Sequence, residues 1–427
     1  MTRKTFSMWR WILLVTIGFA VGGMPSQGGV TPPRSIVPAP EIASHLEDEI
    51  ARWEPTMQQL TQANANFGFL VFSRLAEGRE DENLALSPTS LSMALTLLYR
   101  GARSQTQQQM TSALGYAGLS LEELDRSYGD LFATLAEVSP DVELNIANSV
   151  WAGIGETLES SFVETSRTIY RARVDRVNFS QPQDALQQIN RWVAAETNDR
   201  IEEILSPSDL DRETVIVLAN ALYFLGYWTY PFSEEETRLH PFTLPDGTQK
   251  QHPMMVQQMP TRYCETALFK AVELPYGESE RMSLYAFVPK PGKTLADFYQ
   301  HLTLENWNIW MNSFDWYSSG ALVKLPKFRL DDERELNEVL KSVGLGGIFE
   351  TPDFSGIVPQ SFAVSLVKQK TYIDVNEKGT EATAATAIVG TRSSPPEIEF
   401  DRPFFFAIRD NDTGAILFLG SVADPTL

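Results

Sequence analysis

The side chains best suited to catalysis are scattered along this chain. Four histidines, His45, His240, His252 and His301, stand far apart, and none falls in the His-x-x-x-His spacing that sets two imidazoles on one helical face around a metal. The single cysteine, Cys264, lies between Tyr263 and Glu265, with nothing nearby that marks a nucleophile. There is no Gly-x-Ser-x-Gly elbow and no Gly-rich loop to cradle phosphate. A hydrolase fails for want of a nucleophile and base pair. The acidic runs Glu234-Glu-Glu236 and Asp331-Asp-Glu333 lack paired ligands at fixed spacing and read as solvated faces or helix starts. No metal or cofactor is expected.

The unusual feature is a stretch of backbone. Glu377-Lys-Gly-Thr-Glu-Ala-Thr-Ala-Ala-Thr-Ala-Ile-Val-Gly-Thr-Arg-Ser-Ser-Pro-Pro396 is rich in small and β-branched residues, which suit a pleated surface, and carries loop-formers only at its ends. At period two, Thr380, Ala382, Ala384, Thr386, Ile388 and Gly390 share one face, and most are small enough to slip between two strands. Glu381 falls on the other face. The composition alone also fits an Ala/Thr-rich linker. The chain beyond Pro396 argues against a linker, because Phe400 to Arg409 and Ala415 to Gly420 read as two apolar strands around a tight turn. The segment therefore reads as a strand held outside a sheet.

Other elements must build that sheet. Thr56 to Ala76 has helical spacing, and Ser87, with Pro88 in the favoured first turn, caps a second helix through Leu98. Leu144 to Trp151 alternates as a strand, and Ile189 to Ile201 has helical period. Thr214 to Phe224 is a near-continuous apolar run, the pattern of a strand buried on both faces. Met282 to Val288, Ala321 to Phe328 and Phe362 to Val375 supply further strands, and Glu335 to Val343 a helix. Helices dominate the first half and strands the second, so the fold class is α+β with large sheets.

Lys and Arg total 35 against 55 Asp and Glu, a net charge of −20, which excludes nucleic acid as a partner. Arg3, Lys4 and Arg10 precede the apolar run Trp11 to Val21, followed by Gly22 and Gly23. This is a secretory signal pattern over residues 1–23, too short to span a bilayer, so no stable membrane anchor is expected. Residues 24–54, opening with a Pro- and Gly-rich run to Pro40, read as a spacer, and 55–427 as one domain carrying the loop 377–396. The expected location is secreted or periplasmic. One cysteine allows no intrachain disulfide, so the domain must hold itself together by core burial.

Ordered segments across nearly the whole domain resemble the serpins, the serine-protease inhibitors typified by α1-antitrypsin. They are Leu86-Ser-Pro-Thr-Ser90, Ala147-Asn148, Leu218-Ala-Asn-Ala-Leu-Tyr-Phe224 with Gly226 and Trp228, Glu273-Leu-Pro-Tyr276, Leu325-Pro-Lys-Phe328, Asp353-Phe-Ser-Gly356, the segment at Glu377, and Arg402-Pro-Phe404. The resemblance implies three β-sheets, about nine helices, and an exposed reactive loop near the C-terminus. It also implies a monomer that inhibits a serine protease by a suicide-substrate route. The protease cuts the loop, an acyl-enzyme forms, and the freed loop inserts into the central sheet.

Carried onto this chain, the hinge is Glu377, Gly379, Thr380, Glu381, Ala382 and Ala384, where a proline or an inward charge would slow insertion. Ser87, Ser90 and Asn220 match a polar shutter beneath the sheet, and Trp228 the breach at the loop's entry. Capping a helix and filling a core are readings of Ser87 and Trp228 that stand beside these roles. Gln369 replaces the shutter histidine of many serpins; an amide donates and accepts but does not titrate. Leu225 stands where the family often has Lys. Counting back from Pro395-Pro396 puts the reactive bond at Arg392-Ser393, which suits a trypsin-like protease with an acidic pocket. Counting seventeen residues from Glu377 puts it at Ser393-Ser394, which suits elastase- or subtilisin-like enzymes. A non-inhibitory serpin, acting as a binding or chaperone-like module, is the alternative; the small hinge residues argue against it.

Overall fold

The computed structural model describes residues 40–136, 140–359, 362–379 and 396–426, with side chains from residue 55. The expected leader at 1–23 lies outside them. Residues 51–427 form one compact unit. In chain order the elements are α1 (Pro40–Ala76), β1 (Leu84–Leu86), α2 (Pro88–Gly101), α3 (Ser104–Leu114), α4 (Leu121–Ala136), β2 (Val142–Gly153), α5 (Ser160–Thr168), β3 (Arg173–Val177), α6 (Pro182–Glu196) and β4 (Ile216–Gly226). Next come β5 (Arg238–Thr243), β6 (Gln249–Glu265), β7 (Phe269–Tyr276), β8 (Met282–Pro289), α7 (Leu295–Tyr299), α8 (Leu304–Asn312), β9 (Asp315–Pro326), β10 (Phe328–Glu335), α9 (Asn337–Leu340), β11 (Leu366–Val375), β12 (Glu397–Glu399), β13 (Phe404–Asp410) and β14 (Ile416–Val422). The first helix begins at Pro40, inside the stretch read as spacer.

Among the described residues the strands make two sheets. One has the order β10-β11-β4-β2-β3; the other runs β1-β14-β13-β8-β7-β6-β9-β12, with β5 on β6. The resemblance implies a third. It is fused to the second, because β6 is shared: its first residues pair with β5, its middle with β9 and its end with β7. A register shift between Met259 and Thr261, around Pro260, bends the strand without breaking the sheet.

α2 lies between the sheets, touching β14 on one side and β2 and β4 on the other, and is buried along almost its whole length. Ser87 caps it as expected, its hydroxyl accepting from the Ser90 amide at 3.3 Å. Outside the five-stranded sheet, α6 and the chain after it cover an apolar layer of Trp151, Ile189, Ile204, Leu210, Val217 and Leu366. The helix expected to reach Ile201 stops at Glu196, because Asn198 and Asp199 take left-handed backbone and the Thr197 hydroxyl accepts from the Ile201 amide. The run Asp331 to Glu333 forms part of β10 and starts no helix; the Asp332 carboxylate accepts the Ala85 amide at 2.8 Å and so ties β1 to the other sheet.

Candidate functional site

β4 and β11 are parallel neighbours at the centre of the five-stranded sheet, in register from Leu366 with Val217 to Tyr372 with Tyr223. Both strands continue beyond that pair, β4 to Gly226 and β11 to Val375, yet their pairing stops. A cleft of about 360 Å³ opens between the freed ends, lined by Tyr223, Leu225, Tyr372, Asp374, Asn376 and Glu377 among others.

The chain leaves β11 at the mouth of this cleft. Asn376 and Gly379 exchange backbone hydrogen bonds of 3.0 and 3.2 Å, and Gly379 also bridges Tyr227 in antiparallel fashion. The turn demands glycine: φ is +109°, and a Cβ would sit 2.3 Å from the Gly226 carbonyl oxygen and 2.5 Å from the Trp228 nitrogen.

The buried Glu377 anchors the turn. Its carboxylate meets Lys327 Nζ at 2.8 Å and accepts from the Thr237 hydroxyl at 2.9 Å, while its carbonyl accepts the Phe232 amide at 2.8 Å. Burial pushes the carboxyl up, but Lys327 and the hydrogen bonds outweigh that and hold it below the usual glutamate value. Trp228 donates its indole N–H to the Asn376 carbonyl at 2.9 Å and stacks on Tyr276 at 4.4 Å. It therefore fills core and braces the hinge at once.

Lower down, three registered residues cross the sheet on the face toward α2: Gln369 on β11, Asn220 on β4 and Asn148 on β2. Gln369 Nε2 donates to Asn220 Oδ1 at 2.5 Å; Asn220 Nδ2 donates to Asn148 Oδ1 and, at 2.5 Å, to the Ser90 hydroxyl. Gln369 Oε1 accepts the Ser87 amide at 2.7 Å. All five side chains are buried. The seam is thus pinned to the N-terminus of α2 by uncharged hydrogen bonds alone.

The structure brings together Ser87, Ser90, Asn220 and Gln369 in one network, and Trp228, Glu377 and Gly379 in another. Thr380, Glu381, Ala382, Ala384, Arg392, Ser393 and Ser394 lie outside the described residues. Lys327, Thr237 and Asn148 received no role from the sequence. Lys327 stands in the serpin-like run Leu325 to Phe328, but its partner is 50 positions away.

The family described as Serpin (serine protease inhibitor) matches residues 62–425. The chain belongs to the serpin family. The family is one of protease inhibitors by its description, and not of enzymes. Relatives of this serpin include glia-derived nexin of Mus musculus, 34% identical over 381 residues, covering 86% of this chain and 94% of that one. Leukocyte elastase inhibitor of Equus caballus is 32% identical, covering 86% of this chain and all (100%) of that one. The crystal structure of native protease nexin-1 with heparin matches with a TM-score of 0.79 and 31% identity, covering 86% of this chain and 100% of that one.

Proposed function

We propose that this serpin traps an extracytoplasmic, trypsin-like serine protease by a suicide-substrate route. The protease serine attacks the Arg392 carbonyl, an ester forms, and the Ser393 amine leaves as a new N-terminus. The released strand then enters the β4–β11 seam and carries the tethered protease with it. About 15 residues at roughly 3.3 Å each give a strand near 50 Å, enough to move a protease from one pole of the domain to the other.

One observation carries this reading: the seam is already unzipped where the hinge turn delivers the chain. Counted residue for residue from the two bridges of Gly379, Ala382 falls between Ile373 and Phe224, and Thr386 between Gln369 and Asn220. The face read as small from the sequence is the one that would point toward α2. Insertion replaces one parallel pairing with two antiparallel ones, which are somewhat more stable per residue, and adds a strand's worth of backbone hydrogen bonds. The uninserted form is the metastable one.

The leader at 1–23 supports export, and the guanidinium of Arg392 supports an acidic specificity pocket. The count from Glu377 favours a second reading, cleavage at Ser393-Ser394 by a protease with a small pocket. Incubation with trypsin and separately with an elastase or subtilisin distinguishes them. A complex with trypsin that survives boiling in detergent is expected, with a released peptide starting at Ser393. If every protease only nicks the loop and none is retained, this serpin is a binding module.

A further inference from the structure

On the outer face of β11, one residue before Gln369, Lys368 is the only buried lysine among the described residues, 5% exposed. Its ammonium meets two carboxylates, Asp209 at 2.5 Å and Glu333 at 2.7 Å. These partners belong to different bodies. Glu333 is on β10, the antiparallel neighbour of β11, and its register partner Lys370 is also on β11. Asp209 lies in the connection from α6 to β4, where its carboxylate also accepts from the amide and hydroxyl of Ser206 at 2.6 and 2.8 Å.

That connection is a strap over the outer face of the sheet. Asn190 of α6 holds it through the amides of Ile204 and Leu205 at 3.1 and 3.0 Å. Asn198 donates to Glu143 of β2 at 2.7 Å, and the Arg200 guanidinium lies over the Tyr223 ring of β4. All these ties are on the β4 side of the seam. Lys368–Asp209 is the strap's charged tie to β11.

Admitting a strand roughly doubles the β4 to β11 spacing from about 4.8 Å. Glu333 lies with Lys368 on the β11 side of the seam, whereas Asp209 belongs to a connection tied to α6, β2 and β4. We infer that Lys368 is a positioning residue whose ion pair with Asp209 clasps β11 to the strap and sets the rate at which the seam admits a strand. This rests on the proposed loop insertion. Gln369–Asn220 closes the seam on its inner face, and Lys368–Asp209 on its outer face, from adjacent residues of one strand.

The test uses the full-length, uncleaved protein and a synthetic peptide with the sequence of residues 380–391, whose incorporation is followed on native gels. Lys368→Met keeps the apolar stem, leaves Asp209 with its Ser206 donors, and should take up peptide about tenfold faster, since a buried charged hydrogen bond no longer has to be broken. Lys368→Arg, which keeps charge and donors, should restore a rate near the wild type. Asp209→Asn, which leaves Lys368 with Glu333, should accelerate uptake as Lys368→Met does and serves if that variant does not fold. In the loop-cleaved protein, where Lys368 keeps Glu333 and has lost only Asp209, Asp209→Asn and wild type should melt together. Uptake by Lys368→Met at the wild-type rate overturns the clasp while insertion stands, as does equal acceleration by Lys368→Arg or an equal loss of stability by Asp209→Asn in the cleaved form. If wild type takes up no peptide and cleavage leaves its melting temperature unchanged, insertion itself fails and the clasp falls with it.

Discussion

Tyr223 and Tyr372 are the last partners in register across the β4–β11 seam, their rings 6.2 Å apart on the face away from α2. Below them the sheet is paired; above them it is open. The two rings therefore mark the point to which the seam has already parted.

Tyr372→Ala should move that point down the strands. Loss of the ring pair should cost about 1 kcal/mol beyond the area it buries. The urea midpoint of the uncleaved protein should drop accordingly, and hydrogen exchange should rise first at Thr371 and Leu222. Unchanged exchange there would show that the rings do not hold the junction.

Gly379→Ala should destabilise the hinge by about 1–3 kcal/mol, because the backbone is left-handed and the added methyl meets backbone atoms that cannot rotate away. Equilibrium unfolding of the uncleaved protein would show it. A midpoint equal to wild type would mean that the turn takes another shape.

The pair Glu377–Lys327 should make part of the stability depend on pH. The folded carboxyl titrates below its ordinary value of about 4.3, so the contribution is complete above that value and is lost as pH falls through the folded value. The gap in urea midpoint between wild type and Glu377→Gln should be widest near neutrality and should narrow toward pH 3. A gap that stays constant or grows with acid would contradict the assignment.

Asn220→Ala removes the residue that joins Gln369, Asn148 and Ser90, and leaves buried donors and acceptors without partners; a loss of about 3 kcal/mol is expected in the uncleaved protein. Gln369→His should add a pH dependence that wild type lacks at this site. A buried imidazole binds protons less readily than in the unfolded chain, so stability should fall as pH drops below about 6.5. Parallel pH profiles for Gln369→His and wild type would place residue 369 outside the buried network.

Local pattern carried much of this fold. Period two located β2, a near-continuous apolar run located β4, and the Ser87-Pro88 pair located the start of α2. Shared edges were not legible, since a single strand such as β6 serves three neighbours through a bend that no periodicity records. The site divides in the same way. Ser87, Ser90, Asn220 and Trp228 lie in motif segments and Gln369 stands where many serpins have histidine, whereas the roles of Lys327 and Lys368 are recognisable only through Glu377, Asp209 and Glu333, partners brought near by the tertiary fold. Lys368 alternates with Gln369 along β11 and so reads as a solvated charge until the strap that covers it is known.

The double bridge of Gly379 also fixes a count. A strand that starts from that turn has its register set before any side chain docks, so removing one residue between Thr380 and Thr386 would shift everything after it by one place and exchange its two faces. Ala387 would then meet Gln369, and Val389 would turn inward where Ile388 belongs. If the loop inserts as proposed, this part of it should tolerate exchange among small residues better than a change of length.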